Sequence, residues 1–280
     1  MAKFDFPALP LSGWQATRDT IHKYTQVLGE IRGALTPVQK HWWHINLRPD
    51  VTGLTTTPIP VAEELDFVSF KMLLDFTEHK LRITTGQGQQ KQVSLRGQSV
   101  SEFWDETLSA LSEVGIHPQI DNSLFKETAP GSYEPEAAQR FWRVVSQIDV
   151  IFKQFKAGMH RETSPVNLWP HHFDLAFVWF SGRLVSGVDP DDRDYADEQM
   201  SFGFSSGDET IAAPYFYISA YPMPEKLKDT ALPADVTWNT AGFEGARMMY
   251  ETLVKATNPE EKLLEYLRTL YQAGSKLMQY

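Results

Sequence analysis

The chain has 280 residues, of which 42% are hydrophobic and 22% charged, proportions that are typical of a folded protein. It contains no cysteine, which excludes disulfides, thiolate nucleophiles and iron–sulfur clusters. Its net charge of −10 disfavours nucleic acid as a partner, because binding to phosphates requires clustered lysine and arginine side chains.

The N-terminal sequence MAKFDFPALPLSG carries charged residues and prolines where a signal peptide would have a continuous apolar segment. No stretch of the sequence approaches the roughly 20 apolar residues of a membrane-spanning helix. We therefore expect a soluble cytoplasmic protein that has no membrane partner.

The first half of the chain predicts a helix, an antiparallel meander and a second helix. Residues 17–35 repeat apolar side chains at helical spacing, and Pro37 would end this helix. HWWHINL and TGLTTTPIP predict extended segments. VSFKMLLDF, KLRITT and KQVSL predict three strands joined by turns. SVSEFWDETLSALSEVGI then predicts a helix with Ser99 as its N-cap and Glu102 three residues later.

The second half follows the same order. The segment SYEPEAAQRFWRVVSQIDVIFKQFKAGM predicts a long helix, and VNLWP, FDLAFVWF, MSFGF and PYFYISAY predict strands. A final helix is predicted after Asn258, which is its cap, with Pro259 in the first turn. These elements predict an α+β fold of mainly antiparallel strands with packed helices.

Two segments of the chain resemble each other. INLRPDVTGL (45–54) and VNLWPHHFDL (166–175) share Asn, Leu, Pro and Leu without a gap, at an offset of 121 residues. Together with the shared order of elements, this match predicts an internal duplication. We expect a single domain over 1–280, built from related halves at 14–128 and 133–280, in which Asn46 and Asn167 occupy equivalent places.

Motifs for common cofactors are absent from the sequence. It has no phosphate-binding loop, dinucleotide fingerprint, nucleophile elbow or H-E-x-x-H motif. The acidic segment RLVSGVDPDDRDYADEQ fails as a calcium loop, because Arg193 and Asp194 stand at the positions that need a ligand and a glycine. We expect this segment to be a solvated loop.

Four of the eight histidines flank the matched segments: His41 and His44 in the first, and His171 and His172 in the second. If the halves pack about a pseudo-twofold axis, these side chains could converge, and imidazole with a carboxylate suits zinc or iron. On one strand, His172 and Asp174 would share a face while His171 points away. One hypothesis is therefore a metal site of His44, His172 and Asp174, with His41 or His171 as an additional ligand.

Other roles for the same residues stay open. The histidines could be hydrogen-bonded residues at the start of a buried strand, with Asp174 capping a turn or pairing with Arg183. A His–Asp contact could instead tune the imidazole for proton transfer without any metal. A transition metal is therefore possible as a cofactor but is not expected.

The combination of TRDTIHKYTQVLGEIRGAL, HWWHINL, GLTTTPIP and WPHHFDLAFVWFSGR resembles a family of uncharacterised bacterial proteins, grouped as domain of unknown function 5996. The resemblance runs from about Trp14 to the final helix. It implies a single domain, and it brings no established activity, cofactor or catalytic residue.

Three functions are compatible with the sequence. The first is a small-molecule binding protein or enzyme with a polar-aromatic cleft between the halves. The second is a metal-dependent enzyme, and the third is an interaction or scaffold protein without chemistry, which would expose a large apolar patch. The catalytic residues are unknown; the predicted cleft is lined by Trp42, Trp43, His44, His172, Asp174 and Arg183.

Overall fold

The structure, a computed structural model, describes residues 4–61, 65–121 and 123–279, the side chain of residue 279 excepted. The predicted domain over 1–280 includes some residues that lie outside the described ones, namely 1–3, 62–64, 122 and 280. Within these ranges the chain forms five α-helices and two six-stranded antiparallel sheets. The predicted α+β class is confirmed.

The helices are α1 (Gln15–Leu35), α2 (Val100–Ser112), α3 (Pro135–Lys156), α4 (Tyr250–Lys255) and α5 (Pro259–Gln279). The first sheet contains β1 (Arg48–Pro49), β2 (Gly53–Thr55), β3 (Ile59–Pro60), β4 (Ser69–Asp75), β5 (Lys80–Thr85) and β6 (Gln90–Ser94). The second contains β7 (Asn167–Trp169), β8 (Asp174–Leu184), β9 (Asp197–Ser205), β10 (Tyr215–Tyr221), β11 (Val236–Asn239) and β12 (Gly245–Met249).

The chain divides into two compact units. The N-terminal unit comprises 12–142 and 168–173, and the C-terminal unit comprises 1–11, 143–167 and 174–280. The boundary falls inside α3, and the short segment 168–173 belongs with the N-terminal unit. These bounds differ from the predicted halves at 14–128 and 133–280, and a single domain stays a prediction.

In the N-terminal unit, the strand order is β1–β2–β4–β5–β6, with β3 also paired to β4. Strand β5 alternates as the sequence predicts, with Leu81 and Ile83 fully buried. Helix α1 packs on α2 through Tyr24, whose ring stacks on Phe103 with 3.9 Å between centroids. The hydroxyl of Tyr24 donates to the carbonyl of Gln98 at 2.8 Å. The apolar stripe of α1 thus forms the core of this unit.

The segment Leu168–Phe173 packs on α1 and on the matched first segment. Leu47 and Leu168 exchange both backbone hydrogen bonds, at 2.9 and 2.8 Å. His22 Nε2 donates to the carbonyl of Pro170 at 2.8 Å, and its ring stacks on Phe173 with 5.1 Å between centroids. A Cβ at Gly29 would lie 2.9 Å from Pro170 Cγ, so α1 requires a glycine where this segment crosses it.

In the C-terminal unit, the strand order is β11–β12–β10–β9–β8–β7. One sheet face is apolar and packs on α3 and α5. Phe177 contacts Phe152 of α3 at 5.4 Å between centroids, and Trp179 contacts Tyr271 of α5 at 5.6 Å. The residues of β8 from Asp174 to Ser181 are buried without alternation. The opposite face of this strand is therefore covered as well.

The sequence-based predictions for two extended segments are wrong in part. HWWHINL is not a strand at its start, because residues 40–42 form a short 3₁₀ turn in which His41 and Trp42 both have left-handed φ near 56° and 55°. HHF does not join the strand FDLAFVWF, because Phe173 also has a left-handed φ of 56°. Strand β8 therefore begins at Asp174, and its two histidine neighbours lie in a turn.

The two sheets share details at the predicted offset. Strands β2 and β8 begin at Gly53 and Asp174, 121 positions apart, and each first residue pairs with the last residue of the following strand in the sheet, Asp75 or Ser205. Asp75 accepts a hydrogen bond from the backbone of Thr77 at 2.9 Å, and Ser205 accepts one from Gly207 at 3.1 Å. These likenesses agree with a duplication, which stays a prediction.

Candidate functional site

The residues that were predicted to line the cleft belong to both compact units, with Trp42, Trp43, His44 and His172 in the N-terminal unit and Asp174 and Arg183 in the C-terminal unit. In the N-terminal unit, the rings of Trp42 and His44 stack with 5.6 Å between centroids. His44 is buried, and its Nδ1 accepts a hydrogen bond from the backbone of Gln39 at 3.2 Å. Trp42 is exposed and Trp43 half-buried. The hydrogen bond from Gln39 holds the His44 ring within the turn.

His172 and Asp174 do not share a strand face. His172 lies exposed in the turn before β8, while Asp174 is the buried first residue of that strand. Arg183 stands at the exposed far end of β8, nine positions on, or about 30 Å at the rise of an extended strand. It pairs with Glu198 through two hydrogen bonds of 2.9 Å. The hypothesis that Asp174 pairs with Arg183 is therefore wrong.

The metal hypothesis gains no support from the geometry. Across residues 4–61, 65–121 and 123–279, no three histidine, aspartate or glutamate side chains are placed to hold a metal ion together. His171 and His172 are both exposed. Of the three predicted ligands on and before β8, only Asp174 is buried.

Asp174 lies on the polar face of the second sheet, which we call the polar sheet face. The register places Asp174, Ser205 and Tyr215 side by side across β8, β9 and β10. Two residues along, Ala176, Gly203 and Tyr217 form the next row, and Arg247 of β12 extends it. Since paired residues of antiparallel strands point to the same side, these side chains share one face.

Tyr217 reaches Asp174 by crossing the middle strand. Its hydroxyl donates a hydrogen bond to Asp174 Oδ2, although one strand lies between them. The crossing is possible because the intervening residue is Gly203: a Cβ there would lie 2.2 Å from Tyr217 Cζ. Burial, followed by the charge of Asp174, raises the pKa of Tyr217 well above its usual value. The phenol therefore stays protonated and is a fixed donor to the carboxylate.

A second tyrosine–aspartate pair lies in the adjacent row. Tyr215 donates to Asp208 Oδ2 at 2.5 Å. The other oxygen, Oδ1, accepts from the backbones of Thr210 and Ile211, both at 2.8 Å. Burial, then the hydrogen bond to Asp208, raises the pKa of Tyr215. Asp208 thus fixes both its own loop and the orientation of Tyr215.

An aromatic ring and an arginine complete the face. Phe243 stacks on Tyr215 with 5.8 Å between centroids and lies 5.6 Å from the ring of Tyr217. Arg247 Nη1 donates to Asn239 Oδ1 at 3.2 Å, and its buried Nε has no acceptor among the described residues. The face therefore presents one carboxylate with an oriented phenol, an aromatic wall and a guanidinium whose donors are only partly used.

Sequence analysis identified Asp174 but missed Tyr217, Tyr215, Asp208 and Arg247. Their convergence depends on strand register, which the alternating pattern of one strand does not reveal. One signal was present: Gly203 interrupts the strand MSFGF, and an isolated glycine in a strand often marks the close approach of another group.

The described residues include no helix with the length and apolar character needed to cross a bilayer. Neither a curated protein nor a solved structure matches the chain. One family model does match, over residues 6–280, and so covers both sheets, the polar sheet face and the segment at Pro170. The chain belongs to this family, which is described as a family of unknown function, DUF5996.

Proposed function

We propose that the polar sheet face binds a small polar molecule. The observation that carries this proposal is the Asp174 carboxylate, buried at 7% exposure and held by a phenol that crosses Gly203 to reach it. Buried carboxylates are rare, and Asp174 Oδ2 accepts a hydrogen bond from the protonated phenol of Tyr217. A carboxylate fixed in this way suits the recognition of a ligand that donates hydrogen bonds.

The chemistry of the other residues narrows the ligand. Arg247, the neighbour of Tyr217 on β12, favours a negatively charged or carbonyl-bearing group. Phe243 and the two tyrosine rings offer flat apolar surface for stacking. The ligand class that matches all three features is a small molecule with a hydrogen-bond donor, an acidic group and an apolar or ring portion. Any reaction at this face would first require that the small molecule binds, so we propose binding and no reaction.

A screen of small metabolites by thermal shift tests this proposal. We expect at least one amino acid, nucleoside or sugar acid to raise the melting temperature of the wild type, and to lose that effect in Asp174→Asn and Tyr217→Phe. Asp191→Asn and Tyr195→Phe, which change the same residue types at exposed positions, should respond as the wild type does. A compound that stabilises all five proteins equally would place the binding elsewhere and reject the proposal.

The alternatives have less support. A metal-dependent enzyme needs a ligand cluster, which the described residues do not provide. A scaffold would expose a large apolar patch; the eight large apolar side chains exposed in the described part of the chain, from Val38 to Tyr195, are divided between the two compact units. The cytoplasmic location is also a proposal, and cell fractionation tests it.

We also propose that the two sheets arose by duplication. The supporting observations are the offset of 121 between Gly53 and Asp174 and the matching turns after Asp75 and Ser205. An experimental structure tests this: the two sheets should superimpose with Asn46 on Asn167. Superposition at a different offset would contradict a duplication of this kind.

A further inference from the structure

A buried arginine of the N-terminal unit has no acidic partner. Arg32, in the last turn of α1, is 5% exposed. Its Nη1 donates to the backbone carbonyl of Asn46 and, at 3.1 Å, to the Asn46 side-chain oxygen. Its Nη2 lies 3.5 Å from Thr57 Oγ1. No carboxylate among the described residues pairs with it, although buried charges are normally paired.

A second arginine lies close enough to repel the first. Burial, and after it the charge of Arg48, lowers the pKa of Arg32 to about 10. The guanidinium of Arg32 is still protonated at neutral pH. No described carboxylate forms an ion pair with Arg48 either, so the cluster carries two positive charges without compensation.

The unsatisfied groups of this cluster are all donors. Arg32 Nε, Asn46 Nδ2 and Arg48 Nε are buried and have no acceptor among the described residues. A random shortfall in packing would leave acceptors unpaired as well as donors. Three N–H donors around two cations suit an anion, because a lone buried donor costs free energy that an acceptor would recover.

The local backbone explains how these residues converge. Residues 47–49 form a bridge and strand β1, and Asn46, whose two oxygens accept from Arg32, immediately precedes them. Arg48 pairs in register with Thr55 of β2, and two residues later Thr57 turns with a left-handed φ of 60°. This turn brings Thr57 beside the guanidinium of Arg32. Arg48 and Thr57 are half-buried, which gives the cluster a side open to solvent.

The position of Arg32 in the last turn of α1 partly stabilises its buried positive charge. The C-terminal turn of a helix carries a partial negative charge that favours a cation. This partial charge does not supply an acceptor to Nε or offset the second arginine. An anion would supply that acceptor and offset that charge.

We propose that Arg32, Asn46, Arg48 and Thr57 form a binding site for a phosphate group. Two guanidinium groups match the charge of a phosphate dianion, and their planar donors suit its oxygens in pairs. The amide of Asn46 and the hydroxyl of Thr57 supply further donors. The site is independent of the polar sheet face, so each can fail without the other.

Titration of the full chain with inorganic phosphate tests the site, with sodium chloride and sodium acetate at matched ionic strength as the other arms. We expect phosphate to bind and to raise the melting temperature, with acetate at least about tenfold weaker. Equal binding of acetate would assign the site to carboxylates and overturn the phosphate assignment. A response to phosphate no larger than that to chloride would overturn the site itself.

Substitutions at the two arginines test whether phosphate binds at this cluster. Arg48→Gln changes a half-buried residue and should weaken phosphate binding at least about tenfold, as should Arg32→Lys, which keeps the charge but loses the planar donors. Arg140→Gln, on the exposed side of α3, is the matched control and should bind as the wild type does. If Arg32→Lys does not fold, Arg48→Gln decides alone. Wild-type affinity in Arg48→Gln would overturn the proposal.

Discussion

The hydroxyl of Tyr217 donates to Asp174 across an intervening strand whose residue at the crossing point is Gly203. The contact joins β8 to β10 without involving any side chain of β9. Because residue 203 has no Cβ, the phenol of Tyr217 can reach the carboxylate of Asp174. The packing of the second sheet thus determines which polar groups meet on its polar face.

Replacing Gly203 by alanine should displace Tyr217. A Cβ would lie 2.2 Å from Tyr217 Cζ, far inside contact distance, so the ring must leave its position over β9. We expect a loss of about 1–3 kcal/mol in the free energy of unfolding, as for other overpacked sites. Urea denaturation measures this loss.

A double-mutant cycle isolates the cause. In a Tyr217→Ala background the space above residue 203 is empty, so Gly203→Ala should cost much less there than in the wild type. The same cost in both backgrounds would mean that the alanine acts through the strand backbone and not through Tyr217.

Four of the five α-helices in the described residues, and most strands, could be predicted from sequence, because local signals determine them. Helix α2 begins after its predicted N-cap Ser99, and α5 after Asn258. Strands β11 and β12 and helix α4 were not predicted. The histidine segments were misassigned because left-handed residues such as His41 and Phe173 end an extended run, and nothing in their side chains indicates that conformation.

The candidate sites depended on information that one segment does not hold. Asp174 was found because it is an acidic residue at the start of an apolar run, but its partner Tyr217 lies 43 positions away and only register brings them together. Arg32 was overlooked, although it stands four residues after Leu28 on the apolar stripe of α1. A charge at such a position indicates a buried polar group.

Removing the N-cap of α2 should destabilise the N-terminal unit. Ser99 Oγ accepts from the backbone of Glu102 at 3.1 Å, and without it that N–H loses its acceptor. We expect Ser99→Ala to lower the free energy of unfolding by about 1 kcal/mol. Ser101→Ala, two residues on, is the control and should change it by less than about 0.5 kcal/mol. Equal effects of the two substitutions would show that the cap contributes nothing specific.

The turn after β4 should lose stability in acid through Asp75. Burial raises the pKa of this carboxyl, but hydrogen bonds from Thr77 and Glu78 outweigh burial and the net pKa is lowered. A lowered carboxyl pKa stabilises the fold above the unfolded value of 3.8, and that contribution is lost as pH falls through the folded value. Arg82, 3.2 Å away, adds an ion pair.

Asp75→Asn should therefore cost about 2 kcal/mol near neutral pH, with the difference from wild type shrinking once the pH falls below about 4. Asp121→Asn is the matched control, because Asp121 makes the same kind of turn with Ser123 but is fully exposed. A difference between Asp75→Asn and wild type that stays constant with pH would exclude titration of this carboxyl as its source.

His22 should make the unfolding free energy depend on pH in a higher range. Burial, and then the charge of Arg18, lowers its pKa from 6.5 to about 4. Its Nε2–H donates to Pro170, its ring stacks on Phe173, and Asp19 opposes the shift only weakly. Between these two pKa values the unfolded chain binds a proton that the folded chain does not, so stability must decrease as pH falls from 6.5 towards 4.

One pKa unit corresponds to about 1.4 kcal/mol, so the effect has an upper limit of about 3 kcal/mol, which solvent around this half-buried ring reduces. Urea denaturation from about pH 7 to about pH 4.5 should show this slope in the wild type and a flatter one in His22→Gln, whose side chain cannot take up a proton. His117→Gln removes an exposed histidine and should keep the wild-type slope. Parallel slopes for wild type and His22→Gln would mean that this ring does not resist protonation, and that the contact between α1 and the Pro170 segment is solvated enough to accept a charge.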